Sequence, residues 1–385
     1  MLNFEFYNPT KIIFGRDSIR RIDQEIPPDA GVMVTFGSES ARRYGVLDEV
    51  LSALAGREIT WFGGIEPNPE YETLMKAVRL ARLNQVNYLL AVGGGSVIDG
   101  TKFLAAAIPF DGDPAELLKH SGKGIAGALP IGAVVTLPAS ASEMNCRAII
   151  SQKALHIKQA IMNTWLFPVF AVLDPTRTYS LPATYVGNGV VDTFVHVLEQ
   201  YLTYPVEAHV QDRLAEALFL TLIEDGPRAL AEPENYDVRA NLMWCATLGL
   251  NGLIGAGVPQ DWAAHRAGYE LTVLYGLDHA QTLAVLVPAM MKNRAPGKWQ
   301  KLLQYAERVW KIHSGTKEAR IDAAIEKTRG FFEGMGLATR LNAYHIEDFS
   351  IDRVIEQLKA HGMVALGEKQ DVTPDSMRAI LKDCL

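Results

Sequence analysis

Asp192 and His196 stand four residues apart in the segment VVDTFVHVLEQ. On a helix that spacing sends both side chains from one face. The residues around them are apolar, where a lone carboxylate is costly. Taken by itself, the pair favours an Asp–His hydrogen bond. Two further histidines shift the balance: His265 in DWAAHRAGYE and His279 in GLDHAQTLA. They lie on consecutive helical segments separated by a turn around Gly276, an arrangement that can bring two imidazoles together. One carboxylate with three imidazoles is a donor set for Fe2+ or Zn2+, with room left for a substrate oxygen. Glu199, one turn beyond His196, suits either a partner to a ligand or a solvated charge. Most of the other histidines, His361 among them, read as surface or cap residues.

A second kind of chemistry is written in glycines. Gly93-Gly94-Gly95-Ser96 follows the apolar run NYLLAV and opens a helical segment from Val97 through Ala107. Glycines admit the close approach of a phosphate, and a helix start supplies N–H groups and a positive dipole end. Ile98 stands where the dinucleotide fingerprint needs its third glycine, so an ordinary strand-to-helix turn competes evenly with an anion site. Gly37-Ser38-Glu39-Ser40 follows VMVTF and suits either an adenosine ribose or a plain N-cap. The strand end from Thr136 through Ser140 to Glu143 adds further hydroxyls. Three polar strand ends on the carboxyl edge of an open α/β sheet favour a nucleotide.

The elements that must position these groups fall into two stretches of different grammar. Short β-rich runs at Val32–Phe36, Ile59–Phe62, Asn87–Val92, Ile131–Leu137 and Val169–Leu173 alternate with helical segments such as Tyr71–Leu83. That alternation predicts a parallel sheet covered on both faces. Phe4–Tyr7 and Lys11–Phe14, joined by Asn8-Pro9-Thr10, predict a hairpin attached to it. After Asp174-Pro175 the strand signal ends. Helices are expected at Tyr185–Leu202, Val206–Glu224, Tyr236–Leu253 and Gln260–Leu274, with Asp225–Glu234 as a connection between two of them. The expected division is 1–178, an α/β dinucleotide-binding domain, and 179–385, an all-helical metal-binding and substrate domain.

Composition narrows the class. Apolar residues at 48% and charged residues at 21% are those of an ordinary soluble globular protein. A net charge of −7 argues against a nucleic-acid partner. Cys146, Cys245 and Cys384 form neither a zinc motif nor a disulfide framework, which suits a reducing, cytoplasmic compartment. No signal peptide is read at the N-terminus, and no apolar stretch is long enough to span a bilayer.

The combination GGGSVID, DTFVHVLEQ and two histidines fourteen apart resembles the iron-containing alcohol dehydrogenase family. Within it the chain is similar to the bacterial NADPH-dependent broad-range aldehyde reductase branch. The likeness runs from YNPTKIIFG through GGIEPNP and VFAVLDP to ENYDVRAN, GLIGAGVPQDWA and LLQYAERVW. It implies a dehydroquinate synthase-like fold: a Rossmann-like α/β nucleotide-binding domain, then an all-α metal-binding domain, with the active site in the interdomain cleft. It further implies that Asp192, His196, His265 and His279 hold the metal. By the same likeness Gly94, Gly95 and Ser96 cradle the pyrophosphate, Asp99 binds the nicotinamide-side ribose, and Thr136 and Lys158 flank the cofactor. Gly37, Ser38 and Ser40, with Arg42 and Arg43 nearby, suit the 2′-phosphate of NADP(H), while Glu39 argues the other way.

Two positions depart from the family pattern. Tyr269 stands where a further histidine usually follows the third ligand by four residues, and is the candidate for a catalytic or gating role. Ala141 stands where a glycine usually precedes Ser-Glu. The expected function is metal-dependent hydride transfer between NADP(H) and small aldehydes or primary alcohols, by a homodimer. The alternatives are an NAD-dependent polyol dehydrogenase and a non-catalytic relative that binds metal and nucleotide.

Overall fold

The structure, a computed structural model, describes residues 1–37 and 40–385, and Ser40 by its main chain only. Ser38, Glu39 and the side chain of Ser40, expected at the adenosine ribose, therefore lie outside the described residues. The chain forms two compact units, one of Tyr7–Leu181 with Glu234–Thr247, the other of Met1–Phe6, Pro182–Pro233 and Leu248–Leu385. A single division between 178 and 179 differs from this at 1–6, at 179–181 and at 234–247, and the first and last of these have a local cause. Arg16 lies over the ring of Tyr236 at 4.1 Å and Phe14 meets Trp244 edge-on, which ties 234–247 to the α/β unit. Leu2 N–H donates to Gly257 O (2.9 Å), which ties the first residues to the helical unit.

Among the described residues the α/β unit holds a six-stranded sheet. Its strands are β1 (Lys11–Phe14), β2 (Val32–Phe36), β3 (Ile59–Phe62), β4 (Tyr88–Gly94), β5 (Ile131–Leu137) and β8 (Phe170–Leu173), in the order β1-β8-β5-β4-β2-β3. Every neighbouring pair is parallel. The near-continuous apolar runs are explained by burial on both faces. Val32, Val34, Phe36, Tyr88, Leu90 and Val92 enter one core, while Met33, Leu89, Ala91, Ile131, Ala133 and Val135 enter the other, the period of two expected of strands. The helix Tyr71–Leu83 lays Leu74, Ala77, Val78 and Ala81 on the second core. Completely buried Leu74 and Val78 each contribute about 1.5–3 kcal/mol of burial energy.

Topology places the ligand edge. From β2 the chain steps to β3 on one side, then crosses to β4 and β5 on the other. The reversal falls between β2 and β4, where open α/β sheets bind ligands at the carboxyl ends. Gly37 and Gly94 stand at those two ends, and Leu137 at the end of adjacent β5.

Two expectations for this unit are corrected. Phe4–Tyr7 is not a strand, so the expected N-terminal hairpin does not form. Asn8 instead donates to Met144 O (2.8 Å) and accepts from Thr10 N–H (3.3 Å), and β1 joins the sheet alone, beside β8. An antiparallel pair, β6 (Arg147–Gln152) with β7 (Ile157–Met162), was not foreseen; it turns at His156, whose φ is 52°.

In the helical unit the helix Ala183–Tyr201 is surrounded: Phe194 packs on Phe219, Phe331 and Phe332 with ring centroids 4.7, 5.2 and 5.6 Å away. The connection expected at Asp225–Glu234 is also corrected. The helix His209–Ala231 runs through Gly226 and Pro227. A proline inside a helix costs about 3 kcal/mol, offset here by the contacts around it. Asp225 accepts from Arg228 (2.8 Å), and Gly226 leaves room only for Val190 and Met335. The helix Ala263–Tyr275 ends at Gly276, and the next, His279–Arg308, opens with a capping box between Asp278 and Gln281.

Candidate metal and nucleotide sites

Three short stretches build the metal cluster. Asp192 and His196 leave one face of Ala183–Tyr201, His265 lies in the first turns of Ala263–Tyr275, and His279 is the first residue of His279–Arg308. Gly268 lets the last two helices close up, since a Cβ there would reach Thr282 Cβ at 3.3 Å and its hydroxyl more closely still. The Nε2 atoms of His196, His265 and His279 then lie 3.7, 3.8 and 3.7 Å from one oxygen, Asp192 Oδ1. Those distances are too long for hydrogen bonds. They are near the ~3.4 Å that separates two donors each ~2.0–2.2 Å from a tetrahedral ion. Ligand atoms of Asp192, His265 and His279 all lie within 4.8 Å of one another. His196 meets the same carboxylate oxygen but stands outside that mutual group, its ring stacked on His265 with centroids 4.6 Å apart. A carboxylate oxygen with imidazole nitrogens fits a divalent ion of the Fe2+ or Zn2+ kind.

The four side chains are unequally exposed. The side chains of His196, His265 and Asp192 are 5%, 7% and 11% exposed, against 28% for His279. Tyr269, one turn beyond His265, has its ring 5.6 Å from the ring of His279, the most exposed of the four. Deeper in, Glu199 is hydrogen-bonded to His265 Nδ1 and accepts from Ala264 N–H (2.7 Å). Burial, then the charge of Asp261, pushes the Glu199 carboxyl up, while the Ala264 N–H and Lys298 pull it back. His361, read as a surface or cap residue, is the C-cap of the helix Ile351–Ala360, and its ring also bonds the buried Glu270 at 2.8 Å.

The α/β unit forms the second site. The ladder between β4 and β5 shifts register at Gly93–Gly94, and the helix Gly95–Ala107 starts at once, two residues before the expected Val97. It begins without a side-chain cap or an acidic residue in its first turn, conditions that leave its start open to an anion. Cβ atoms here would strike neighbours: at Gly94 they would meet Leu137 Cβ at 3.1 Å, and at Gly95 the Ser140 side chain. The glycines are therefore required by the approach of two strand ends, and they leave a cradle beside the helix start. Ser140 stands at this point, while Thr136 is on β5 and Gly37 follows the last residue of β2. Ser96 Oγ accepts from Asn68 N–H (3.2 Å), and Asn68 Oδ1 accepts from Lys158 Nζ (2.8 Å). Asn68 was not singled out, although it lies in the segment GGIEPNP.

Asp99 is committed within the protein as well. Its carboxylate accepts from Ser142 Oγ (2.5 Å) and from Ile149 N–H (2.9 Å), joining the helix to β6. Lys102, one turn on, was missed. It is wholly buried and donates to Ser142 Oγ, Asn145 Oδ1 and Arg147 O at 2.9, 3.0 and 2.7 Å. Burial lowers its pKa to about 8 against the pull of Asp99. The visible signal was an Asp and a Lys three apart in the otherwise apolar GSVIDGTKFLAAA. Ala141 adopts φ 51°, left-handed backbone that explains the family's glycine there and costs an alanine about 1–2 kcal/mol.

A nucleotide-type sheet edge in one unit and a candidate divalent-ion donor set in the other are the two parts that a metal-dependent dehydrogenase needs. The chain belongs to the iron-containing alcohol dehydrogenase family: the model for iron-containing alcohol dehydrogenase matches residues 9–175, and that for the family's C-terminal part matches 187–385. It is 56% identical over 382 residues to the NADPH-dependent aldehyde reductase YqhD of Escherichia coli (strain K12), covering 99% of each chain. It is 36% identical to NADH-dependent butanol dehydrogenase B of Clostridium acetobutylicum, covering 91% of this chain and 92% of that one. The crystal structure of E. coli K-12 YqhD superimposes with a TM-score of 0.98 at 55% identity, over 100% of this chain and 99% of that one. NADH-dependent butanol dehydrogenase A of Thermotoga maritima gives 0.94 at 31% identity, over 100% and 99%.

Proposed function

We propose that this protein reduces small aldehydes to primary alcohols with NADPH, and runs the reverse reaction with NADP+, using one divalent metal ion, Fe2+ or Zn2+. The observation that carries the reading is the convergence of three imidazole nitrogens on Asp192 Oδ1 at 3.7–3.8 Å. The likeness to the NADPH-dependent aldehyde reductase of E. coli supports the cofactor and the substrate class.

Asp192, His196, His265 and His279 would hold the metal. Gly94, Gly95 and Ser96 would receive the pyrophosphate at the helix start, with Gly37, Ser38 and Ser40 toward the adenosine ribose and Asp99, Thr136, Ser140 and Lys158 along the rest of the cofactor. When bound, the metal polarises a carbonyl oxygen and the reduced nicotinamide supplies the hydride. The residues of the chain set the conditions for that chemistry. Burial of Asp192, His196 and His265 keeps water from these three donors, and substrate would approach beside the more exposed His279 and Tyr269. Burial also fixes these side chains before substrate arrives, so little ordering is left for the reaction itself.

Among the described residues no helix is long and apolar enough to cross a membrane. A cytoplasmic homodimer completes the proposal. It is supported by three cysteines that remain thiols and by the exposed apolar side chains Leu2, Phe4 and Phe6 on the N-terminal segment. The function is tested by kcat/KM for NADPH and for NADH with butanal as substrate. A higher value with NADPH is expected. Preference for NADH overturns the cofactor assignment, and turnover of polyols in place of butanal overturns the substrate class.

A further inference from the structure

Glu199 occupies a position that the metal cluster alone does not explain. It extends the face of Ala183–Tyr201 that carries Asp192 and His196, and it meets the start of Ala263–Tyr275 three times. Its carbonyl accepts from Asp261 N–H (2.9 Å) and its Oε1 from Ala264 N–H (2.7 Å); its Oε2 is bonded to His265 Nδ1. The Ala264 N–H is one of the donors that a helix start leaves without an intrahelical acceptor. Trp262, at the N-cap, offers no side-chain bond to it. Glu199 is 6% exposed and His265 5%, so water does not compete for these contacts.

We infer that Glu199 is a positioning residue: it caps the helix that carries His265 and accepts the Nδ1 proton of that imidazole, so that Nε2 keeps its lone pair and faces Asp192. A neutral imidazole has one donor and one acceptor nitrogen, and the partner of one decides the role of the other. With Nδ1–H donating to Glu199, Nε2 is the acceptor, 3.8 Å from Asp192 Oδ1. The opposite tautomer would place a proton where the metal must bind. The inference rests on the metal reading above, yet the tautomer itself exists without any metal.

Glutamine at this position has nearly the same shape but one acceptor end and one donor end. With its oxygen on Ala264 N–H, its amide NH2 faces His265 Nδ1 and demands a lone pair there. Turned around, it opposes Ala264 N–H with a second donor. Neither orientation satisfies both partners, which separates the carboxylate's chemistry from the mere filling of space.

The test has two readings. Nitrogen NMR of 15N-histidine-labelled, metal-free wild-type protein, with His265 assigned by substitution, should show the Nδ1–H tautomer; the Nε2–H tautomer overturns the proposal. Zn2+ affinity, measured by competition with a chromophoric chelator, should be weaker by about 10–100-fold in Glu199→Gln than in wild type. Equal affinity in a folded Glu199→Gln protein overturns the proposal. If the variant fails to fold, the wild-type tautomer still decides. A wild type with the expected tautomer that binds no Zn2+ contradicts the metal reading and with it the role in metal binding, and leaves the helix cap and the tautomer standing, so the two failures are distinguishable.

Discussion

The ring of Tyr269 lies against the imidazole of His279, with centroids 5.6 Å apart and planes inclined by 31°. The phenol thus stands beside the most exposed of the four proposed metal ligands, at the position where the family usually carries a histidine. If substrate approaches the cluster past His279, the bulk of Tyr269 narrows that approach. Tyr269→Ala should raise kcat/KM for benzaldehyde relative to butanal by several-fold. An unchanged ratio would remove Tyr269 from the substrate path.

Lys102 provides a pH test in the nucleotide unit. Its folded pKa of about 8 lies below the ordinary 10.5, so between those values the unfolded chain holds more protons than the folded one. Stability from this group therefore rises with pH across that window and is lowest below it. The contribution is at most about 3 kcal/mol. The difference in unfolding free energy between wild type and Lys102→Met should grow in favour of wild type from pH 8 toward 10. A difference that is constant with pH would contradict the assignment.

The strands, and the meeting of Asp192 with His265 and His279, were legible in the sequence for a physical reason. A sheet buried on both faces demands unbroken apolar runs such as NYLLAV, and the spacing of Asp192 and His196 leaves little choice of face. Local punctuation was less reliable. Gly226 and Pro227 read as a break, but packing against Val190 and Met335 carried the helix through them. Phe4–Tyr7 alternates like a strand, yet its neighbour Leu2 bonds to Gly257, a partner far away in sequence. The pair β6–β7 is short and mixed with polar residues, so it left no clear period. Lys102 could not be placed because a lysine is buried only when specific acceptors surround it, and those came from a different strand end.

His361 makes a stability prediction. The carboxyl of Glu270, 2% exposed, is raised in pKa by burial and held by His361 at 2.8 Å. His361→Ala removes that partner and should lower unfolding free energy by about 1–3 kcal/mol, with kcat for butanal little changed. Denaturant unfolding monitored by circular dichroism decides; a variant as stable as wild type would show that the contact contributes nothing.

The dependence of activity on a metal held by Asp192, His196, His265 and His279 is the central claim, and chelation tests it most directly. Protein stripped by a strong chelator should lose NADPH oxidation with butanal, and recover it on addition of about one equivalent of Fe2+ or Zn2+ per chain. His279→Ala, treated in the same way, should bind little metal and recover no activity. Full activity in the stripped wild-type protein, or full metal occupancy in the variant, would contradict the account.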